Sequence, residues 1–123
     1  MKPANYGLKR ILRASKFSAK GLKAAWVNEA AFRQELLLAC VLLPIAWLIE
    51  ITTVERLLLT MTVFIVLIVE LINSAIEAVV DRISDEIHPL SGRAKDIGSA
   101  AVMVSLILGG ITWASILLPQ MLA

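Results

Sequence analysis

Five polar residues share one face of a helix predicted near the middle of the chain, where they interrupt an apolar stretch. They are Glu70, Asn73, Ser74, Glu77 and Asp81, at positions i, i+3, i+4, i+7 and i+11. An ionisable side chain at the centre of a membrane-spanning helix costs about 2.5–3.5 kcal/mol, so such residues usually serve a function. The alternative is a structural hydrogen-bond network between helices in which one or both glutamates are protonated.

The two glutamates on this face are too far apart to bind one metal ion. Glu70 and Glu77 are seven residues apart, which is about 10.5 Å along a helix axis. We predict that Glu77 binds a metal ion and that Glu70, deeper in the apolar stretch, accepts a proton as general base. Glu29 has the same predicted membrane depth as Glu77, and two carboxylates from different helices suit Mg²⁺. Taken alone, Glu29 is better explained as an acidic residue favoured by a helix dipole.

A second group of charged residues precedes the last apolar stretch. In the segment HPLSGRAKD (88–96), the Ser91-Gly92 pair predicts a turn and a helix start. The candidate site residues of this segment are His88, Arg93, Lys95 and Asp96. Basic side chains beside paired acids are suited to a nucleoside triphosphate, although a lone histidine carries little weight. The sequence has no Walker-type glycine loop and no GxGxxG motif, so the residues alone predict only a metal-and-anion site at one membrane face.

The composition predicts that these residues are carried by membrane-spanning helices. Hydrophobic residues make up 59% and charged residues 18% of the 123-residue chain, and the mean hydropathy is +0.81. Soluble domains have about 45–50% apolar and 25% charged residues, so an ordinary soluble domain is excluded. A net charge of +2 argues against nucleic-acid binding. The single cysteine, Cys40, cannot form a disulfide within the chain.

We expect one all-α membrane domain, 1–123, with three membrane-spanning helices. Their predicted ranges are 29–49, 57–80 and 97–118, with a loop at 81–96. Seven of the twelve lysines and arginines lie in the first 23 residues. Basic residues favour the cytoplasmic side, so the N-terminus and the 81–96 loop are predicted to be cytoplasmic and the C-terminus external.

The N-terminal segment, 5–27, has its own pattern. Basic residues such as Lys9, Arg13 and Lys16 cluster on one arc of a helix, and apolar residues such as Leu8 and Ile11 lie on an adjacent face. We predict an amphipathic helix on the cytoplasmic surface of the membrane. The alternative is a basic tail that only sets the topology.

Three segments of the chain resemble the prokaryotic diacylglycerol kinase family of small inner-membrane lipid kinases. They are NEAAFRQE (28–35), VELINSAIEAVVDRIS (69–84) and HPLSGRAKDIGSAAV (88–102). The likeness covers nearly the whole chain in order and spacing, and E-x-x-N-S-A-I-E-x-x-x-D together with SGRAKD is highly specific. The resemblance implies a homotrimeric bundle in the bacterial inner membrane, with a periplasmic C-terminus and active sites at protomer boundaries. It also implies ATP- and Mg²⁺-dependent phosphorylation of the primary hydroxyl of 1,2-diacylglycerol to phosphatidic acid.

The same resemblance assigns roles to individual residues. Glu70 is implied as the catalytic base, Asn73 as a supporting polar residue, and Glu29 and Glu77 as magnesium ligands. The implied nucleotide contacts are Arg10, Phe17, Glu29, Glu77, Glu86, His88, Lys95 and Asp96. The implied lipid contacts are Arg10, Ala14, Ser18, Ala31, Glu35, Trp47, Arg56, Glu70, Ser99 and Trp113. Phe17 departs from the tyrosine of the family, so ring stacking on the nucleotide is expected there rather than a hydrogen bond.

Three other functions remain open at this point. Related small kinases act on undecaprenol, so a polyprenol kinase is the closest alternative. A proton-coupled multidrug exporter would use Glu70 but would leave Glu29 and the 88–96 segment unexplained. An inactive accessory subunit would consume no ATP with any lipid.

Overall fold

The computed structural model describes residues 6–83 and 88–123, which form four helices. They are α1 (Tyr6–Asn28), α2 (Ala30–Leu48), α3 (Thr53–Ile83) and α4 (Pro89–Leu122). By length and composition, α2, α3 and α4 are each able to cross a membrane. The predicted all-helical class and the prediction of three potential membrane-spanning helices are therefore confirmed.

The corner between α1 and α2 lies at a single residue, Glu29. Its backbone is extended, with φ −117° and ψ 106°, so the helical path is interrupted there. The Arg33 guanidinium on α2 reaches back and donates to the carbonyl oxygens of Trp26 at 2.7 Å and Val27 at 3.2 Å. Because the last carbonyls of a helix have no partner within it, these bonds fix the end of α1 against the start of α2. The corner thereby holds the Glu29 side chain at the junction of the two helices.

At the other end of α2, a tight hairpin leads into α3. The Thr52 hydroxyl accepts from the Glu55 backbone N–H at 3.1 Å, and the Glu55 carboxylate accepts from the Thr52 N–H at 3.0 Å. This reciprocal capping box starts α3 at Thr53, four residues before the predicted span begins. The Arg56 guanidinium holds the hairpin closed by donating to three carbonyl oxygens, those of Ala46, Ile49 and Ile51.

Helix α4 begins earlier in the sequence than the predicted span at 97–118. The His88 Nδ1 atom accepts from the Leu90 backbone N–H at 3.0 Å, and Pro89 occupies the first helical turn, where its missing N–H is not needed. Residues 81–83 and 89–96, which were predicted as loop, are therefore helical. Ser91 and Gly92 lie inside the first turns of α4 rather than before its start.

Helix α3 packs against both α2 and α4, and α1 contacts α2. Few of the described apolar residues are buried, and half of the buried ones are alanines. The buried apolar residues are Ala25, Phe32, Ala39, Ala46, Leu59 and Val63. Many large apolar side chains on all four helices are instead exposed, among them Leu58, Phe64, Ile107 and Leu118. In water such an exterior would aggregate, so this surface is suited to contact with lipid or with other apolar helices.

Candidate active site

The polar face of α3 runs from a buried end to an exposed end. Glu70 is 4% exposed and Asn73 is 8% exposed, and both are buried by the neighbouring helices. Ser74 and Glu77 are half-buried, and Asp81, near the end of the helix, is exposed. The face thus forms a line of polar groups that leads from the protein interior to the surface.

A hydrogen bond links the middle of this line. The Asn73 amide Nδ2 donates to the Glu77 Oε1 atom at 3.3 Å, one helical turn further along. An ionised carboxylate has no hydrogen to donate and acts only as an acceptor, so the donating amide of Asn73 is a suitable partner for Glu77. Asn73 therefore orients the Glu77 side chain from the buried side.

Glu77 and Glu29 open into the same cavity, which has a volume of about 730 Å³. Helix α1 and the corner residue Glu29 form one wall, and the polar face of α3 forms the other. The polar residues that line it are Ser18, Asn28, Glu29, Ser74, Glu77 and Asp81. Small-molecule sites usually have volumes of about 300–1,000 Å³, so this cavity has the size of a ligand site. Its lining includes three carboxylates from two parts of the chain.

A basic residue from α4 lies beside one of these carboxylates. The Lys95 Nζ atom is 2.6 Å from the Asp81 Oδ1 atom, so an ion pair joins the end of α3 to the start of α4. Lys95 precedes the apolar stretch 97–118 and therefore lies outside the predicted membrane-spanning segment. Its hydrogen bond to Asp81 and the negative charge of that carboxylate raise the pKa of the Lys95 ammonium above its usual range. A positive charge thus lies beside Asp81 at the edge of the cavity.

A second cavity, of about 340 Å³, lies among α2, α3 and α4 and is almost entirely apolar. Glu35 and Trp113 both line it, together with apolar and small residues from all three helices. The Trp113 indole Nε1 donates to the Thr62 hydroxyl at 3.0 Å, which joins α4 to α3 across one side of the cavity. The Glu35 Oε2 atom is buried and has no hydrogen-bond partner among the described residues.

Comparison with known proteins identifies the family of the chain. Residues 16–117 match the sequence profile of the family described as prokaryotic diacylglycerol kinase. The chain belongs to this family. It is therefore an enzyme, a membrane kinase for which ATP is the implied phosphate donor.

Individual members of the prokaryotic diacylglycerol kinase family are similar along nearly their whole length. The chain is 53% identical over 111 residues to the diacylglycerol kinase of Escherichia coli K12, covering 90% of this chain and 91% of that protein. It is 55% identical over 112 residues to the diacylglycerol kinase of Pseudomonas aeruginosa, covering 91% of each chain. The diacylglycerol kinase of Helicobacter pylori 26695 is 41% identical over 116 residues, which cover 94% of this chain and 91% of that protein.

Of the nucleotide candidates that the structure describes, three lie at or beside the carboxylate cavity. Glu29 and Glu77 line the carboxylate cavity, and Lys95 is paired with Asp81 at its edge. His88 accepts a hydrogen bond at the start of α4. The remaining candidates with described positions are exposed: Arg10 and Phe17 on α1, and Asp96 on α4. Glu86 lies outside the described residues.

Apart from buried Glu70, the lipid candidates lie in the two cavities, on exposed parts of the helices and at the α2–α3 hairpin. Ser18 lines the carboxylate cavity, and Glu35 and Trp113 line the apolar cavity. The exposed candidates are Arg10, Ala14, Ala31 and Ser99.

Trp47 and Arg56 lie at the α2–α3 hairpin, away from the other lipid candidates. Arg56 is fourteen residues before Glu70, which is about 21 Å along α3. Its guanidinium carbon lies 5.6 Å from the centre of the Trp47 ring, and its nitrogens bind the hairpin carbonyls. The structure therefore does not bring these two residues beside Glu70.

Two residues in or beside the cavities had no site role in the sequence-based assignment. Asp81 belongs to the polar face, but its partner Lys95 lies on another helix, and no local spacing connects the two. Thr62 stands eight residues before Glu70, a helical spacing that places it on the same face. That spacing could have marked Thr62 as part of the site.

Proposed function

We propose that the protein transfers the γ-phosphate of ATP to the primary hydroxyl of 1,2-diacylglycerol and so forms phosphatidic acid. The observation that carries this proposal is the polar face of α3, which joins buried Glu70 to a carboxylate cavity flanked by the Lys95 ammonium. Membership of the prokaryotic diacylglycerol kinase family supports the lipid substrate. Phosphoryl transfer requires mainly positioning and neutralisation of charge, and both can be supplied by these residues.

The carboxylate cavity needs a cation before it can accept a triphosphate. Glu29, Glu77 and Asp81 all line it, and their charges would repel ATP. Oxygen ligands from one or two carboxylates are the set that Mg²⁺ prefers, the other positions being filled by phosphate oxygens and water. The donor set therefore fits Mg²⁺, with Glu29 and Glu77 as its protein ligands. When bound, the ion would neutralise part of the phosphate charge.

The proposed magnesium site has two protein carboxylates, those of Glu29 and Glu77. Among residues 6–83 and 88–123, no group of three or more His, Cys, Asp or Glu side chains is arranged to hold a metal ion. A site with only two protein carboxylates binds the ion weakly by itself and more tightly when phosphate oxygens complete it. Magnesium is thus proposed to enter together with ATP.

Glu70 is the proposed general base of the reaction. The lipid hydroxyl oxygen attacks the γ-phosphorus, the bond from that phosphorus to the bridging oxygen of ADP breaks, and the hydroxyl proton passes to the Glu70 carboxylate. Glu70 is 4% exposed, so water competes little for this proton. Asn73 supports the site by holding Glu77 through its amide.

Lys95, one of the proposed nucleotide contacts, is paired with Asp81 at the exposed end of the polar face. Lys95 and Arg10 would bind phosphate oxygens, and Phe17 would stack on the base. The remaining proposed contacts are Glu86, His88 and Asp96.

The lipid is proposed to reach the site from within the membrane. Helix α1 would lie on the cytoplasmic surface, so a lipid could enter beside it without leaving the bilayer. Arg10, Ala14, Ser18, Ala31 and Ser99 are the proposed contacts near the headgroup. Glu35 and Trp113 line the apolar cavity, which has space for part of an acyl chain. Trp47 and Arg56 are proposed to meet the far end of a chain.

We also propose that the enzyme works as a homotrimer in the bacterial inner membrane, with the N-terminus in the cytoplasm and the C-terminus in the periplasm. The broad apolar exterior of a single chain supports additional helix contacts. Active sites at protomer boundaries predict complementation. Mixing inactive Glu70→Gln protein with inactive Arg10→Ala or Ser99→Leu protein should restore part of the activity in mixed trimers. No recovery with any such pair would contradict shared sites.

One assay separates this function from the alternatives. Purified protein in mixed micelles is given γ-labelled ATP with either diacylglycerol or undecaprenol, with and without Mg²⁺. We expect label in phosphatidic acid only when Mg²⁺ is present, and little label with Glu70→Gln protein. Label in polyprenyl phosphate alone would assign the polyprenol kinase instead, and ATP-independent efflux from vesicles would favour an exporter.

A further inference from the structure

Gly98 on α4 lies directly against the side chain of Asn73 on α3. A Cβ atom added at Gly98 would overlap the Asn73 Oδ1 atom and would lie 3.2 Å from its Cγ atom. Both residues are buried, and Asn73 is 8% exposed. Any side chain larger than hydrogen at position 98 must therefore displace the Asn73 amide or separate the two helices.

The amide of Asn73 has a defined direction. Its Nδ2 atom donates to the Glu77 Oε1 atom at 3.3 Å, and an ionised carboxylate can only accept. The amide nitrogen must therefore face Glu77, and the Oδ1 atom faces α4. There the Oδ1 atom is buried and has no hydrogen-bond partner among the described residues. It lies instead against the backbone of Gly98, whose Cα–H groups offer only weak hydrogen bonding.

We propose that Gly98 is a positioning residue of the phosphoryl-transfer site, an inference that rests on the function proposed above. Gly98 provides the space into which the Asn73 Oδ1 atom fits, and this keeps the Asn73 Nδ2 atom directed at Glu77. With a methyl group at position 98, the amide rotates away and Glu77 loses its buried partner. Because Asn73 lies one turn from both Glu70 and Glu77, its rotation disturbs the centre of the polar face.

The other glycines of α4 show that this contact is specific. A Cβ atom added at Gly92 or at Gly110 would meet no atom within 4 Å, and one at Gly109 would make only an ordinary contact with Thr62. Glycine in the interior of a helix is less stable than alanine, so its presence at a buried position requires a compensating role. At position 98, the glycine has such a role because it leaves space for the Asn73 Oδ1 atom.

The first test compares Gly98→Ala with Gly92→Ala, which makes the same change on the same helix in open space. We expect Gly98→Ala to lower kcat/KM for MgATP by about tenfold to a hundredfold, which is the worth of a hydrogen bond to a charged group. Gly92→Ala should stay within about twofold of wild type, since it touches nothing. A Gly98→Ala enzyme with activity close to that of Gly92→Ala would overturn the proposal.

The second test separates positioning from general helix packing. In Asn73→Ala protein the Oδ1 atom is gone, so a methyl group at position 98 has room. Adding Gly98→Ala to Asn73→Ala should therefore cause no further loss of activity, and the double variant should unfold at a higher temperature than Gly98→Ala alone. The comparison of the double variant with Asn73→Ala can still be made if Gly98→Ala alone fails to fold. Losses that multiply in the double variant would overturn the proposal.

A third measurement observes the amide without using catalysis. The chain has three asparagines, Asn5, Asn28 and Asn73, so selective ¹⁵N labelling gives three side-chain amide signals. Gly98→Ala should shift the Asn73 signal and leave the Asn28 signal in place, whereas an unmoved Asn73 signal would overturn the proposal. Wild-type protein that phosphorylates no lipid would instead contradict the proposed function, and the two failures are thereby distinguished.

Discussion

The Lys95 ammonium on α4 lies 2.6 Å from the Asp81 carboxylate at the exposed end of the polar face of α3. The two side chains are only partly covered, so the pair contributes little to the stability of the fold. Asp81 also lines the carboxylate cavity. We therefore interpret the ion pair as a contact that holds a cationic side chain at the edge of the proposed nucleotide site.

Replacing Asp81 by Asn should loosen Lys95 without removing it. Because a free lysine samples many rotamers, we expect KM for MgATP to rise about three- to tenfold while kcat and thermal stability change little. Lys95→Met should raise KM further, since the proposed contact of Lys95 with phosphate would be lost. Steady-state kinetics at fixed saturating lipid measure both effects.

The control for this pair is the double variant Asp81→Asn/Lys95→Met. If Asp81 acts through Lys95, the double variant should match Lys95→Met alone. Losses that multiply would show that Asp81 acts on the nucleotide by another route, for example as a third carboxylate at the metal.

The polar face of α3 shows what the sequence can predict. The i, i+3, i+4, i+7 spacing of Glu70, Asn73, Ser74 and Glu77 depends only on helical periodicity, and the structure places Glu70, Asn73 and Glu77 on one connected surface. By contrast, the Asp81–Lys95 and Gly98–Asn73 contacts join different helices. No periodicity within one helix specifies which residues of a neighbouring helix will face it, because that depends on how two side-chain surfaces interlock.

Helix ends illustrate a second limit. Charged residues at 89–96 favoured a loop, because the predicted span followed hydropathy alone. The His88 cap and Pro89 start α4 earlier, since a helix can continue beyond the apolar core into a polar region. The capping box at Thr52 and Glu55 was readable in the sequence as T-x-x-E, and it starts α3 at Thr53.

Removing either proposed metal ligand should change the magnesium requirement. Glu29→Gln and Glu77→Gln each leave one carboxylate where two are expected to hold Mg²⁺. Loss of a residue that only supports a metal ligand lowers metal affinity ~10–100-fold. Loss of a ligand itself should cost at least as much, so we expect the Mg²⁺ concentration at half-maximal activity to rise by at least this factor. Titration of Mg²⁺ at constant ATP measures this shift.

Glu50→Gln is a suitable control, because it removes an exposed carboxylate at the α2–α3 hairpin, far from the cavity. It should leave the magnesium requirement unchanged. Unaltered magnesium dependence in both Glu29→Gln and Glu77→Gln would remove these residues from the metal site.

The Trp113–Thr62 hydrogen bond should contribute modestly to the stability of the helix packing. Trp113→Phe removes the donor and Thr62→Val removes the acceptor of the same 3.0 Å bond. Interhelical hydrogen bonds in membrane proteins average about 0.6 kcal/mol and reach about 1.7 kcal/mol. We expect each change to lower the free energy of unfolding by roughly that amount, and we expect the double change to be less than additive. Reversible unfolding in detergent measures these values, and strict additivity would contradict a direct bond.

Glu70 allows the sharpest test, and its position along α3 explains why. Glu70 is eleven residues before Asp81, about 16 Å along the axis, which would place it near mid-bilayer if α3 ended at the membrane surface. The hydroxyl of diacylglycerol lies near the headgroups. With 31 residues, α3 is about 46 Å long and exceeds a hydrocarbon core of about 30 Å by roughly 16 Å. We therefore expect its last turns, with Glu77 and Asp81, to project beyond the membrane and to bring Glu70 to the level of the hydroxyl.

Glu70→Gln keeps the shape and the hydrogen bonding of the side chain but cannot take up the hydroxyl proton. The variant should therefore lose about 10² or more in kcat, the usual worth of a positioned base, while KM for MgATP changes little, because Glu77 and Lys95 remain in place. Glu70→Asp keeps a carboxylate one methylene further from the hydroxyl and should retain a small part of the activity. The measurement is kcat in mixed micelles, with nucleotide binding checked separately. A Glu70→Gln enzyme that turns over within a few-fold of wild type would make Glu70 structural, and the proton would then have to pass to Asp96 or to water.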